Sequence, residues 1–206
     1  AFCGIQEGLF LDLGANIGQS ALSVSCVNKR LKIFSIEANP ACESALKITQ
    51  KILGNKYRYR IVGVGSHSGT MDFFVPFRSS RMLLEEGSFD RDSLHSPASV
   101  GRLGREGLDY SIKTIPVSVV SVDSLNVAPV VVKMDLQGYE FEALVGMTET
   151  IKKYKPLVMM EVCHQFQEIL ELMAGHGYKA AYWKDGNFVD VSDVENPLNV
   201  FFLQEK

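Results

Sequence analysis

The chain has 206 residues, of which 46% are hydrophobic and 22% charged, a size and composition that fit one domain with its own core. Its formal net charge of -3 argues against a general nucleic-acid-binding protein, because such a protein needs clustered Lys and Arg. The four cysteines show no zinc spacing and no apolar run reaches the roughly 18 residues of a membrane span, so we expect a cytoplasmic protein with reduced thiols.

Apolar runs alternate with helical periods along the chain, a pattern typical of strand, helix, strand units around a parallel sheet. Between the runs, helical spacing predicts where each helix buries its apolar face. Asn39 is predicted to be the N-cap of the second helix and Pro40 its first residue, and Gly175 and Gly177 are predicted to end the last helix. The predicted strands cover residues 9–13, 32–36, 58–64, 69–74, 113–122, 130–135, 157–162, 179–183 and 199–204, the last two as an antiparallel pair.

Each predicted helix has a set of residues that we expect on its buried face. The first is expected to present Ile17, Ala21, Val24 and Asn28 on one face. The remaining core stripes are Ala45, Ile48, Thr49 and Ile52 in the second helix, then Phe141, Leu144, Val145, Thr148 and Ile151 in a third, then Phe166, Ile169, Leu170 and Met173.

Between residues 78 and 112 the periodicity fails, and we predict one domain over residues 1–206 with a long inserted loop at about 78–112. The loop carries charges of both signs, which is typical of a solvated excursion. A sharper hypothesis is a lid over a substrate, in which arginines hold a phosphate or carboxylate. The arginines of this segment are Arg78, Arg81, Arg91, Arg102 and Arg105.

Residues 9–20 join the first strand to a helix through Asp12, Gly14 and Gly18. Ligands of open α/β sheets bind at this strand end, and a glycine there would let a ligand approach the backbone. A dinucleotide fingerprint needs glycine at the positions of Asp12 and Ile17, and a P-loop needs four residues between its glycines. Neither phosphate cradle is present.

A carboxylate at this position suits a ligand with a positive end and no phosphate, such as S-adenosyl-L-methionine. Its ribose diol needs a bidentate acceptor, and Glu37 stands at the end of the second strand. Taken alone, Asp12 could cap the following helix and Glu37 could be a solvated strand end. Their occurrence after two successive strands, around Gly14 and Gly18, favours the cofactor.

These residues resemble the FkbM family of S-adenosylmethionine-dependent methyltransferases, within the class I Rossmann-like group. The matching blocks are FLDLGANIG at 10–18, FSIEANP at 34–40, GVGSHSG at 63–69, VKMDLQGYE at 132–140 and VMMEV at 158–162. The first two of these blocks mark class I methyltransferases broadly. The fourth block, with Lys133, Asp135, Gly138 and Glu140, is typical of FkbM in particular. The sequence departs from the family at Gln137, where an acid is usual, and at Ser66, where Asp is common.

The resemblance implies an α/β fold with a mostly parallel seven-stranded sheet, an antiparallel last strand and helices on both faces. It places Asp12, Gly14 and Asn16 beside the methionine part of the cofactor, Glu37 on the ribose, and Gly63 with Val64 at the adenine. Asp135 and Glu140 would line the floor near the reacting centre. The expected cofactor-binding set is Asp12, Gly14, Asn16, Gly18, Glu37, Ala38, Gly63, Val64 and Asp135.

Methyl transfer to a hydroxyl needs an aligned acceptor and benefits from a nearby base. Asp135, Glu161 and His164 are the candidates, and we favour Asp135 or His164 as the proton acceptor. Their alternatives are structural: His164 could cap the next helix, and Asp135 could accept backbone N–H groups. The three could also ligate a divalent cation, but their spacing carries no metal motif and we predict none. Lys133 should pair with a buried acid such as Glu140 or Glu161.

The sequence therefore predicts an O-methyltransferase that uses S-adenosyl-L-methionine on a small molecule, sugar or polyketide-like acceptor. We expect no nucleic-acid partner and no membrane span, and a homodimer is possible through the last strands. One alternative is a catalytically silent binding protein that acts through a partner. Another is an NAD-linked oxidoreductase with a degenerate loop, weakened by Ile17 and by a carboxylate where pyrophosphate would lie.

Overall fold

The computed structural model describes residues 4–95, 110–193 and 198–204. Strands and helices alternate through most of this span. The helices are α1 (Gln19–Val27), α2 (Glu43–Leu53), α3 (Glu140–Val145), α4 (Thr148–Tyr154) and α5 (Phe166–Ala174). The strands are β1 (Gly8–Leu13), β2 (Leu31–Glu37), β3 (Tyr57–Ile61), β4 (Gly63–Val64), β5 (Gly69–Arg78), β6 (Arg81–Met82), β7 (Tyr110–Val120), β8 (Pro129–Met134), β9 (Leu157–Glu161), β10 (Tyr178–Lys184), β11 (Asn187–Asp190) and β12 (Asn199–Gln204).

The main sheet has the order β11-β10-β12-β9-β8-β1-β2-β3. Its strands β3, β2, β1, β8 and β9 pair in parallel, and β12 runs antiparallel between β9 and β10. The mostly parallel α/β fold with an antiparallel last strand is confirmed. The count of seven strands was wrong, because β10 continues through Asp185 and Gly186, both with left-handed φ, into β11. An Asp-Gly pair is a strong sequence signal for a hairpin, and the strands predicted above do not include this one.

Helices cover both faces of this sheet, as predicted. Period-two alternation sends Leu11 and Leu13 to one face, where they pack with residues of α3, α4 and α5. Phe10 points to the opposite face, where it packs with Ala21 and Val24 of α1. The C-terminal ends of the parallel strands are thus held between two cores and meet at one edge.

Helix α2 buries only part of the stripe predicted for it. Asn39 accepts a hydrogen bond from the Ala41 N–H at 3.1 Å and starts a 3-10 turn, so the N-terminal signal is confirmed. Thr49 is buried as predicted, together with Leu46 and with Cys42 just before the helix. The expected core residues Ile48 and Ile52 are instead 58% and 63% exposed.

Two predicted elements are divided by close backbone contacts. The third helix breaks at Gly146, where a Cβ would lie 2.0 Å from the Gly65 carbonyl oxygen. The chain therefore turns there between α3 and α4, and Val145 is 39% exposed. The third strand divides into β3, which pairs with β2, and β4, which pairs with β7 in a second sheet.

The second sheet has the order β4-β7-β5-β6 and is built on a long antiparallel hairpin of β5 and β7. Because this pairing runs to Arg78 and Tyr110, the expected loop at about 78–112 is shorter than predicted. Within it, residues 83–95 form a segment that we call the strap. Ser88 joins the strap to β5, since its N–H and carbonyl both pair with Phe74 at 3.0 and 2.8 Å. Residues 96–109 lie outside the described ranges.

None of the helices within the described ranges is both long enough and apolar enough to cross a membrane.

The rotation of α2 makes a prediction about stability. Leu46→Ala, at a fully buried position, should lower the free energy of unfolding by about 2–5 kcal/mol. Ile48→Ala removes as many side-chain carbon atoms as Leu46→Ala, yet it should cost at most about 0.5 kcal/mol because the Ile48 side chain is exposed. Chemical denaturation of both variants measures the difference. Equal losses would contradict this orientation of the helix.

Candidate cofactor and acceptor site

The C-terminal ends of β1, β2, β8 and β9 surround two adjoining cavities at the sheet edge where α/β proteins bind ligands. The small cavity has a volume of about 110 Å³ and the large cavity about 980 Å³. The small cavity is lined by Gly14, Asn16, Glu37, Ala38, Phe73, Leu84, Glu85, Gly87, Phe89, Asp135, Leu136 and Gln137. The large cavity is lined by Glu86, Phe89, Asp90, Asp92, Ser93, Leu94, Gln137, Gly138, Tyr139, Glu140, Glu142, Glu161, Val162, Cys163, His164 and Gln165.

Glu37 is the best-defined carboxylate of the small cavity. Its Oε1 accepts the Asn39 N–H and its Oε2 accepts the Asn16 N–H, both at 2.7 Å. Burial raises the pKa of Glu37, while the two backbone donors act in the opposite direction. A carboxylate has about four acceptor positions, so two remain for a ligand. The two N–H bonds fix the orientation of the side chain.

The glycines of the first turn serve protein packing. Gly14 has φ 79°, and a Cβ on it would lie 1.9 Å from the Asp135 carbonyl oxygen. Gly18 has φ 92°, and a Cβ there would meet Thr49 Oγ1 at 2.6 Å. The expectation that these residues leave room for a ligand is therefore corrected: they let the turn approach β8 and α2. Gly14 still lines the small cavity, and Gly18 does not.

Asp12 is fully buried and lines neither cavity. Its Oδ2 accepts the Ser35 hydroxyl at 2.9 Å, and its Oδ1 lies 3.6 Å from Lys133 Nζ. Burial raises the pKa of Asp12 although Lys133 opposes this. The alternative role as a helix cap is wrong, because α1 follows Gly18 and has no side-chain cap. The structure places Asp12 beneath the cavity floor.

Lys133 has partners other than those predicted. In the register of β1 and β8, Lys133 stands beside Asp12, so its ammonium reaches the first turn rather than Glu140 or Glu161. Nζ donates to the Gly14 carbonyl at 2.9 Å. It also lies 3.4 Å from Asp135 Oδ2. Lys133 thus joins the ends of two neighbouring strands.

Glu140 takes the structural role that was considered for Asp135. Its carboxylate accepts the Leu136 N–H at 2.8 Å and the Gly138 N–H at 3.1 Å, and it is 1% exposed. Burial raises the pKa of this group, against the backbone donor at Leu136. The acid closing the Asp-x-x-Gly-x-Glu block therefore holds the loop after β8 in shape. Its place in the first turn of α3 was the available signal.

Gly63 and Val64 are buried and line neither cavity. A Cβ on Gly63 would meet Phe89 Cζ at 2.4 Å, so the Phe89 ring lies directly against this glycine. The ring is also packed between Phe73 and Tyr139, at centroid distances of 4.9 and 5.3 Å. The strap therefore places an aromatic ring beside Gly63, one of the two residues expected at the adenine, a contact that the sequence did not indicate.

The three candidate bases are divided between the cavities. Asp135 lines the small cavity, whereas Glu161 and His164 line the large one. Phe89 and Gln137 line both cavities and form the junction between them. The helix-cap alternative for His164 is not seen, since α5 begins after Gln165 without a side-chain cap. Which residue accepts a proton stays a prediction.

The large cavity is acidic. Its lining includes no Lys or Arg among the described residues, and Arg91 instead lies over the Phe74 ring at 5.9 Å. Arg102 and Arg105 lie outside the described ranges. Within those ranges, no cluster of three or more His, Cys, Asp or Glu side chains is arranged to hold a metal ion. The carboxylates of the lining are Glu86, Asp90, Asp92, Glu140, Glu142 and Glu161.

The fold and this edge can be compared with known proteins. The chain resembles the structure of methyltransferase FkbM from Methylobacillus flagellatus KT with a TM-score of 0.61 and 16% identity, over 96% of this chain and 44% of that one. It also resembles a putative rRNA-methylase from Clostridium thermocellum with a TM-score of 0.52 and 8% identity, over 98% of this chain and 90% of that one. At these identities the likeness shows the fold alone.

The chain spans less than half the length of the Methylobacillus protein. No curated protein sequence matches it. The family model of the methyltransferase FkbM domain matches residues 12–180, which include the first turn, Glu37, the strap and the block from Lys133 to Glu140. The resemblance seen in the sequence is confirmed: this chain belongs to the FkbM methyltransferase domain family.

Proposed function

We propose that the protein transfers a methyl group from S-adenosyl-L-methionine to a hydroxyl of a small molecule, sugar or polyketide-like acceptor. One observation carries this proposal: Glu37 is oriented by two backbone N–H groups in a cavity at the sheet edge, beside the first turn of a methyltransferase-family domain. In-line displacement at a sulfonium depends chiefly on alignment, which can supply about 7–11 kcal/mol.

The residues of the small cavity fit the cofactor chemically. The two remaining acceptor positions of Glu37 suit the ribose diol, and Ala38 follows it on the cavity wall. Asp135 offers a carboxylate to the positively charged methionine end, next to Gly14 and Asn16. When bound, the cofactor supplies an activated methyl group, and these residues hold and orient it.

Cofactor entry requires the strap to move. A volume of about 110 Å³ is below the roughly 300 Å³ at which ligand pockets typically begin. Leu84, Gly87 and Phe89 of the strap form the outer wall of the small cavity, so outward movement of this segment enlarges it. The lid hypothesis is retained in this form, with the strap covering the cofactor as well as the acceptor.

The acceptor belongs in the large cavity, which meets the small one at Phe89 and Gln137. Glu161 and His164 on its wall are placed to take the hydroxyl proton, a contribution of about 10²- to 10⁴-fold to the rate. The acidic lining disfavours phosphate and carboxylate groups on the acceptor. We therefore propose an uncharged polyol, such as a sugar, as the acceptor. The described arginines are not proposed to bind a phosphate or carboxylate of it.

Two further expectations remain proposals. A cytoplasmic location is supported by free thiols at Cys26, Cys42 and Cys163. A homodimer through the last strands is supported by the edge position of β11 in the main sheet.

The cofactor proposal predicts the effect of Glu37→Gln. The variant exchanges an ionic acceptor for an amide, so its Kd for S-adenosylhomocysteine should rise about 10- to 150-fold. Isothermal titration calorimetry measures the change. Glu43→Gln is the matched control, because Glu43 lies on the surface of α2 and pairs with Lys47 at 3.0 Å. Failure of the unmodified protein to bind would instead favour a catalytically silent binding protein.

The acceptor proposal predicts selectivity for uncharged hydroxyl compounds. Tritiated methyl groups from S-adenosyl-L-methionine should be incorporated into neutral glycans or polyols, and at least about tenfold less into their phosphorylated counterparts, because the cavity lining is acidic. Paired acceptors that differ only in the phosphate provide the control. Preferential labelling of the phosphorylated member would contradict the proposal.

The division of the candidate bases predicts different defects for two variants. His164→Asn should lower turnover by about 10²-fold or more with unchanged affinity for S-adenosylhomocysteine, because His164 lines only the large cavity. Asp135→Asn should weaken cofactor binding. Labelled-methyl transfer and calorimetry separate the two effects, and His176→Asn, beyond α5, is the control. Unchanged turnover in His164→Asn would exclude it as the base.

A further inference from the structure

We propose that Lys133 and Gln137 are positioning residues that hold the Asp135 carboxylate toward the positive charge of the methyl donor. This inference rests on the proposed function. Asp135 follows β8, its side chain is 40% exposed, and it lines the small cavity. Lys133 Nζ lies 3.4 Å from its Oδ2, and Gln137 Nε2 donates to its Oδ1 at 2.9 Å. One carboxylate oxygen therefore accepts a hydrogen bond, and the other has an ammonium beside it.

Lys133 is held in place from below the cavity. Its side chain is 13% exposed, and Nζ donates to the Gly14 carbonyl at 2.9 Å while lying 3.6 Å from Asp12 Oδ1. Asp12 is itself fixed by the Ser35 hydroxyl at 2.9 Å. None of Asp12, Ser35 and Lys133 lines either of the two cavities described above. They form a support beneath the cavity floor, and this support holds Asp135 in its orientation at the cavity.

Gln137 is held in place from above, by the strap. Its φ is 53°, a left-handed conformation that a residue without glycine's freedom adopts only when its surroundings impose it. The Gln137 carbonyl accepts the Ser88 hydroxyl at 2.7 Å and lies 3.4 Å from the Ser93 hydroxyl. The side chain is thereby directed at Asp135. A seated strap and an oriented Asp135 are parts of one hydrogen-bonded chain.

The charge of the donor gives this arrangement a measurable consequence. S-adenosyl-L-methionine carries a sulfonium, whereas S-adenosylhomocysteine carries a neutral thioether of nearly the same shape. A fixed Asp135 carboxylate favours the charged ligand, and a displaced one favours it less. The ratio of the two dissociation constants therefore reports the position of this carboxylate, whereas general loosening of the site weakens both ligands together.

The test is calorimetric titration of both ligands into the full chain and its variants. Gln137→Leu should lower the preference for S-adenosyl-L-methionine over S-adenosylhomocysteine by roughly tenfold, the order expected of one partly screened charge, and so should Lys133→Arg, which keeps the positive charge but changes the position of the donor. The same substitutions at the exposed positions, Lys51→Arg and Gln50→Leu, should leave it unchanged.

A double-mutant cycle decides whether the two residues act through Asp135. In the Asp135→Asn background, neither Lys133→Arg nor Gln137→Leu should change the preference further. An unchanged preference in Gln137→Leu alone, or an additive loss in the double variants, overturns the inference. If Lys133→Arg does not fold, Gln137→Leu decides by itself. Absence of binding by the unmodified chain defeats the proposed function, whereas binding with unaltered variants defeats only this inference.

Discussion

The close approach of the ends of β1 and β8 is the constraint on which the site depends. Gly14 has no Cβ, so its turn reaches the Asp135 carbonyl, where a methyl group would lie 1.9 Å from the oxygen. Lys133 then spans the two strand ends, bonding the Gly14 carbonyl and standing between Asp12 and Asp135. A largely buried ammonium between two carboxylates is tolerated because it is paired and hydrogen-bonded. The floor of the small cavity follows from this contact.

The second sheet supplies the other half of the site. The long pairing of β5 with β7 carries the strap to the edge of the main sheet, where Ser88 bonds the Gln137 carbonyl and Phe89 packs on Gly63. The strap thereby lines the small cavity and forms part of the large one. One segment contacts both cavities, so a change in its position affects both.

The candidate residues of this FkbM-family domain are divided between the two cavities. Glu37 and Asp135 face the small cavity, and His164 and Glu161 face the large one. The sequence grouped Asp135 with Glu161 and His164 as candidate bases because all three residues follow strands that end at the same edge. Only the path of the strap shows that the edge contains two compartments.

The sequence by itself determined the fold class, the strand ends that carry Glu37 and Asp135, and the family, because these depend on local periodicity and on residue types at short spacing. The tertiary structure decided what each residue touches. Glycines expected to admit a ligand are required by packing, Asp12 lies under the floor, Lys133 pairs across β1 and β8, and Phe89 stands beside Gly63. These contacts join residues far apart in the chain, and local spacing carries no information about strand register or about where a long segment returns.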